Sequence, residues 1–462
     1  MINNIIILFT MVIAVIMYKK GKINWLLITI GVAYICMPVV RYGVNSGINS
    51  AYVITLVCFL IFLDSFFKRK LYFGKKQLSY LISMVIGVIF VFVGWLVNGK
   101  IILSGLIHFA GMLQYILGVF IFSIFIKSYS IDKKSLYKKI FTIVILLNYC
   151  MGIIQLFNWE LGEKVTRQLY TYAGKSAPLD STGVELGKFV RIFGTFYSPT
   201  VLGVVSLLIS AFFLHEVIKQ RKILSFDAAM YMVSVGLGLL AFSKITIIGS
   251  FLLLIINILL AVIQKSLKGK VSIYFRALAL LVSVFVCIGS LQCALGLGNY
   301  VRYYYFKVSN IIVAMETRYG NLLSNSNEKN ANESLKIEEA ENNVGNKEKT
   351  EGNMNSAFDV FRKHPIIGVG PMSVEGEFLG DSEYISILHN GGILSFLTYA
   401  YCYGSMALYY FIKKCNHELI MLMGIGMGAV SMMVFSYGCI IPLVAYCICD
   451  YEKNSTLSND RC

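Results

Sequence analysis

Three cations and two carboxylates stand out because they sit where a membrane chain rarely keeps charge. Arg191 lies in VRIFGTFYSPT, Lys244 in AFSKITIIG and Arg318 in METRYGN, each at the end of an apolar run, and Asp381 and Glu383 follow in GDSEYISILHNGGILSF. A charge at membrane depth is costly unless it faces a cavity or a partner. One such cation is ordinarily an interfacial residue whose side chain snorkels to water. Three on one face, with two carboxylates opposite, suit a site that grips an anion through charge-assisted hydrogen bonds, and a membrane-embedded diphosphate fits that chemistry. A carboxylate near an acceptor hydroxyl can act as general base, with Asp381 the first choice and Glu383 the second.

The elements that must position these residues follow from composition. The chain has 462 residues, 57% hydrophobic and 14% charged, with mean hydropathy +0.70. That is too little charge to coat a water-facing surface of this size, so an all-α polytopic integral membrane protein is expected. Uncharged runs at 78–97, 101–126, 245–263 and 277–298 meet or approach the ~20 residues that cross the hydrocarbon, and shorter or more broken runs bring the expectation to about twelve or thirteen spans. The run 419–449 reads as one tilted helix or as two short ones broken near Gly438 and Pro442.

The net charge of +16 is distributed against nucleic-acid binding. Basic residues fill alternate loops, at 19–22, 68–76, 127–139, 219–222, 265–276 and 413–414. By the positive-inside rule those loops are cytoplasmic and the intervening segments external. The resulting order is N-terminal transmembrane helices over 1–157, an external loop over 158–198, central helices over 199–298, a large external loop over 299–386, C-terminal helices over 387–449 and a tail over 450–462. The eleven cysteines lie mostly inside apolar runs and read as small core residues. There is no zinc motif, P-loop or dinucleotide fingerprint, and no cofactor is expected.

Within the large external loop, 321–356 is dense in Asn, Glu, Lys and Ser, too poor in apolar residues to offset chain entropy, and is expected to be mobile. FRKHPIIGVGPMS (361–373) then ends a short helix at His364-Pro365. Gly368, Gly370 and Pro371 follow as a rigid turn whose glycines admit close backbone approach to a sugar or phosphate. For His364 a helix-terminating role and a role at the site both stand.

RIFGTFYSPTVLG, then FSKITIIG, then FRKHPIIGVGP and DSEYISILHNGGILSFLTY resemble the O-antigen ligase and polysaccharide polymerase superfamily (Wzy and WaaL types), over roughly residues 191–405. The resemblance implies a GT-C-like membrane glycosyltransferase in the bacterial cytoplasmic membrane. Its substrates would be undecaprenyl diphosphate-linked oligosaccharides, used at the outer face without nucleotide sugar. It would work among membrane lipid and beside a flippase and a chain-length regulator, and make capsular, O-antigen or exopolysaccharide chains. It maps family diphosphate-binding positions onto Arg191 and Lys244, with Arg318 a looser match. His364, Gly368, Gly370 and Tyr384, at the end of the external loop, are expected to complete the substrate site. The ligase-type His-Asn pair falls on Asp381 and Ser382, and this DS-x-Y form looks more like polymerases. A ligase acting on a terminal acceptor and a glycolipid transporter are the alternatives.

Overall fold

The computed structural model describes residues 2–43, 46–101, 103–171, 179, 189–222, 224–264, 271–299, 301–302, 359–371, 382–431 and 437–449. Arg318, Asp381 and the 321–356 segment lie outside the described residues. Among the described residues the regular structure is helical, save for a two-residue antiparallel pair, β1 (Val40–Arg41) and β2 (Gly47–Ile48), with Val40 opposite Ile48.

Six helices precede the first long loop: α1 (Ile2–Lys19), α2 (Ile23–Cys36), α3 (Ala51–Phe67), α4 (Lys75–Asn98), α5 (Leu103–Ser128) and α6 (Lys133–Phe157). The short α7 (Trp159–Leu169) lies in that loop, and α8 (Pro199–Gln220), α9 (Phe226–Leu240), α10 (Lys244–Ile263) and α11 (Val271–Gln292) follow. The C-terminal part holds α12 (Glu383–Lys413), α13 (Asn416–Ser431) and α14 (Ile441–Ile448). Among the described residues seven helices are long and apolar enough to cross a bilayer, against the twelve or thirteen that hydropathy predicts. The difference is one of length and polarity. Helices α2, α3 and α9 have 14, 17 and 15 residues, short of the ~20 an untilted span needs. Helix α12 is long, but buries Glu383, Ser386, His389 and Asn390 in its first half. The run 419–449 resolves into α13 and α14, with a 3₁₀ turn at Gly438–Ile440.

Helix starts follow local chemistry. Asp132, Ser198 and Ser225 each accept a backbone N–H at the heads of α6, α8 and α9, and Pro199 occupies the first turn of α8, where its missing N–H costs no helical bond. Helix α8 is the axis of the bundle: 94% of its apolar window is buried, against 17% for α11. It packs on α9, α10 and α13, while α4 packs along α12.

Side-chain contacts gather the basic loops at one end. Tyr18 donates to Asp64, Lys76 lies 3.4 Å above the Tyr409 ring, and Gln264 pairs with Asn416 at 2.7 Å. Ion pairs join the same end: Lys133–Glu418, buried, at 2.7 Å, and the half-exposed Lys134 and Lys138 on the buried Glu216 and Asp227, each at 2.6 Å. This is the end that carries the basic loops of the sequence.

Candidate functional site

At the opposite end, Arg191 and Lys244 are brought to one turn. The loop carrying Arg191 is pinned from α6: Gln155 Oε1 accepts from the N–H of Phe193 (2.8 Å) and Gly194 (3.0 Å), and Asn148 Oδ1 accepts from Thr195 N–H at 2.8 Å. Gly194 is at φ +57°, a conformation glycine adopts without strain. Ile192 N–H donates to Leu240 O at 3.2 Å, and Arg191 Nε donates to Ala241 O at 2.9 Å, so the guanidinium is tied to the α9–α10 turn. Lys244 is the first residue of α10 and is exposed, three residues beyond that carbonyl. Small residues let the three helices close around it. A Cβ on Gly203 would lie 1.9 Å from Ser243 Oγ, and one on Gly238 2.3 Å from Thr246 Cγ2. Two cations thus meet the head of α10 at one turn, a combination whose chemistry suits an anion.

A second locus surrounds a break in α12. Gly392 adopts φ 65°, ψ −165°, which interrupts the helix. In an unbroken helix the N–H groups of Ile393 and Leu394 would donate to His389 and Asn390. They donate instead to Pro365 O (2.8 Å) and Ile366 O (3.3 Å), while the freed carbonyls of His389 and Asn390 accept from Val369 N–H (3.0 Å) and Gly370 N–H (2.9 Å). The HPIIGVG segment is therefore spliced into the hydrogen-bond ladder of α12. Asn98, at the end of α4, donates from Nδ2 to Ile367 O at 3.0 Å and Gly368 O at 3.1 Å. Irregular backbone at membrane depth persists only when its polar groups are satisfied in this way.

The glycines make the splice sterically possible. A Cβ on Gly368 would lie 2.1 Å from His389 O, and one on Gly392 2.4 Å from Ile366 O. Gly370, at φ +80°, would press a Cβ to 2.2 Å from Trp95. The close approach that Gly368 and Gly370 permit is thus to α12 and to Trp95. A short helix over 359–363 stops before His364, whose N–H donates to Val360 O and Phe361 O at 3.1 Å, in keeping with the restriction Pro365 puts on its neighbour.

The remaining predicted residues divide between the loci and the undescribed segments. Glu383, the first residue of α12, is buried at 3% exposure within electrostatic reach of Tyr115 and Tyr399. Tyr384 donates from its hydroxyl to Gly426 O at 2.9 Å, tying the head of α12 to α13. His389 Nδ1 lies 3.0 Å from Asn390 Oδ1, and both side chains are buried. Helix α13 packs on both α12 and α10 and so stands between the two loci. Sequence reasoning missed Asn98, Asn148, Gln155 and the break itself. The available signal was polar residues near the ends of apolar runs, as in GWLVNGK and IIQLFNW, and the paired glycines of LHNGGIL.

Comparison with protein-family models, with curated proteins and with solved structures gives no match.

Proposed function

We propose that this protein is a membrane glycosyltransferase of GT-C-like architecture in the bacterial cytoplasmic membrane. In this reading it polymerises lipid-linked oligosaccharide repeats at the outer face and releases undecaprenyl diphosphate. The observation that supports this reading is the convergence of Arg191 and Lys244 on one turn at the end opposite the basic loops. Departure of the lipid diphosphate builds negative charge on its oxygens, and fixed cations there stabilise that charge in the transition state. The acceptor is a hydroxyl of a second lipid-linked repeat, deprotonated by a carboxylate at the head of α12. Asp381 is assigned this role first, and Glu383, buried in the first helical turn, second.

The test uses purified protein supplied with lipid-linked repeats alone. The expected product is a ladder of chain lengths, and transfer only to an added terminal acceptor would indicate the ligase reading. Arg191→Ala or Lys244→Ala, each removing a charge-assisted bond of ~1.5–3 kcal/mol, should lower turnover by about 10- to 150-fold with the protein still abundant in the membrane. Asp381→Asn keeps shape and capping ability but removes the charge, and should lower turnover by ~10²–10⁴. Unchanged ladders from the two cation variants would overturn the anion-site reading.

A further inference from the structure

Beside the turn that brings Arg191 and Lys244 together lies an apolar groove between α10 and α11, with a volume of about 450 Å³. Ile247, Ile248, Phe251 and Leu252 line it from α10, and Phe285 and Val286 from α11. The half-buried Phe251 and Phe285 rings meet with centroids 5.1 Å apart, while Leu252 and Val286 are exposed. Both helices are long and apolar enough to cross a bilayer, so their exposed faces suit lipid chains.

Both walls of the groove lead to the turn. On α10 the lining residues stand three, four, seven and eight positions beyond Lys244, the spacing of one helix face, so the exposed Lys244 heads the stripe that lines the groove. That stripe runs about 12 Å from Lys244 to Leu252. Helix α11 ends at the same place: Gln292, buried in its last turn, donates to Leu239 O at 3.0 Å, two residues before the carbonyl that holds Arg191. Between Val286 and that end, Gly289 shares the face of Phe285 and Val286, and a Cβ there would meet nothing within 4 Å. The face thus stays open toward the turn. Val190, Phe242 and Leu297 pack into one buried cluster, which joins the neighbour of Arg191, the α9–α10 turn and the chain leaving α11.

We propose, on the polymerisation reading above, that the groove holds the apolar chain of a polyprenyl diphosphate whose head is gripped by Lys244 and Arg191. The turn then seats the donor, the lipid whose diphosphate departs, and the acceptor lies elsewhere. Two cations at one turn match a doubly charged diphosphate ester, whereas the head of an anionic phospholipid is singly charged. In the transfer, the bond from the anomeric carbon to the diphosphate breaks, and the diphosphate leaves with the electron pair, still anchored by its chain. The acceptor oxygen bonds to that carbon, and its proton passes to the carboxylate at the head of α12.

Photo-crosslinking of the purified full-length protein tests this, with a polyprenyl diphosphate carrying a diazirine in its chain and with phosphatidylglycerol carrying the same group in an acyl chain. The diphosphate probe should label residues 247–252 and 282–289. Phosphatidylglycerol should label them about tenfold less, and Lys244→Ala should lower labelling by the diphosphate probe about tenfold. Val286→Phe and Gly289→Leu, which fill the groove from exposed or open positions, should do the same with the cations untouched. Equal labelling by the two probes, labelling confined to other helices, or wild-type labelling in both filling variants would overturn the groove. Wild-type labelling in Lys244→Ala would part the groove from the cations and overturn the donor assignment. The polymerisation reading fails separately: labelling that depends on Lys244, without a ladder from lipid-linked repeats, would keep the lipid diphosphate site and remove the polymerase, whereas a ladder with labelling only elsewhere would do the reverse.

Discussion

The two ends of the bundle differ in the contacts that hold them. The basic end alone carries ion pairs between helices among the described residues: Lys133 with Glu418, Lys134 with Glu216 and Lys138 with Asp227, with Gln220 on Asp227 at 2.6 Å and Lys133 also donating to Cys449 O at 3.1 Å. At the opposite end, side chain meets main chain: Asn3 donates to Val39 O and Gln168 O, Asn98 to Ile367 O and Gly368 O, and Gln155 Oε1 accepts from Phe193 and Gly194. Paired charges lock helices to one another. Amides that hold carbonyls and N–H groups fix loops, and fixed loops are what a site for an anionic substrate needs. The contrast implies that damage at the basic end is read as lost stability, and damage at the other as a misplaced loop.

The comparison breaks hardest at Lys133. Glu418→Ala leaves that cation, 6% exposed, buried without its partner, and should cost ~3–5 kcal/mol, seen as a large fall in the melting temperature of solubilised protein. Replacing both partners with leucine and methionine should restore most of it. At the other end Gly368→Ala drives a methyl into the His389 carbonyl and should cost ~1–3 kcal/mol by the same measurement. Its mark would be faster proteolysis around 365–370, with the basic end unaffected. Asn98→Ala strands two carbonyls that the helix ladder does not cover, for about 1 kcal/mol. The least effect is expected at the exposed Arg167–Glu163 pair (3.1 Å) on α7, where Glu163→Gln should change stability by at most ~0.5 kcal/mol. A fall there matching that of Glu418→Ala would remove burial as the cause of the difference.

Much of the architecture was legible in the chain. Apolar run length marked the long helices, and loop charge separated the two ends, because both signals are local and additive. FRKHPIIGVGP read correctly as a helix stop, since Pro365 acts on its own neighbour, but the turn expected at Gly368, Gly370 and Pro371 is instead chain that ladders onto α12. What that segment touches did not show, because the other half of the splice lies in an apolar run whose paired glycines pass for ordinary small residues in a helix. Arg191 and Lys244 could be singled out by charge, but their meeting depends on the Arg191 bond to Ala241 O, a contact 50 residues apart in sequence. Asp381 and Arg318 lie outside the described residues, so their place relative to that turn rests on sequence alone.

The splice in α12 also has a mechanical meaning. A continuous helix transmits force along its own ladder, but here two successive rungs run through Pro365, Ile366, Val369 and Gly370. The upper piece, Glu383 to Asn390, is clasped to the incoming segment as firmly as to the rest of its own helix. A pull on the chain entering at His364 is therefore delivered to the head of α12, and Asn98 resists it from α4. The joint couples the end of the long loop to Glu383 and Tyr384 as a lever is coupled to its fulcrum.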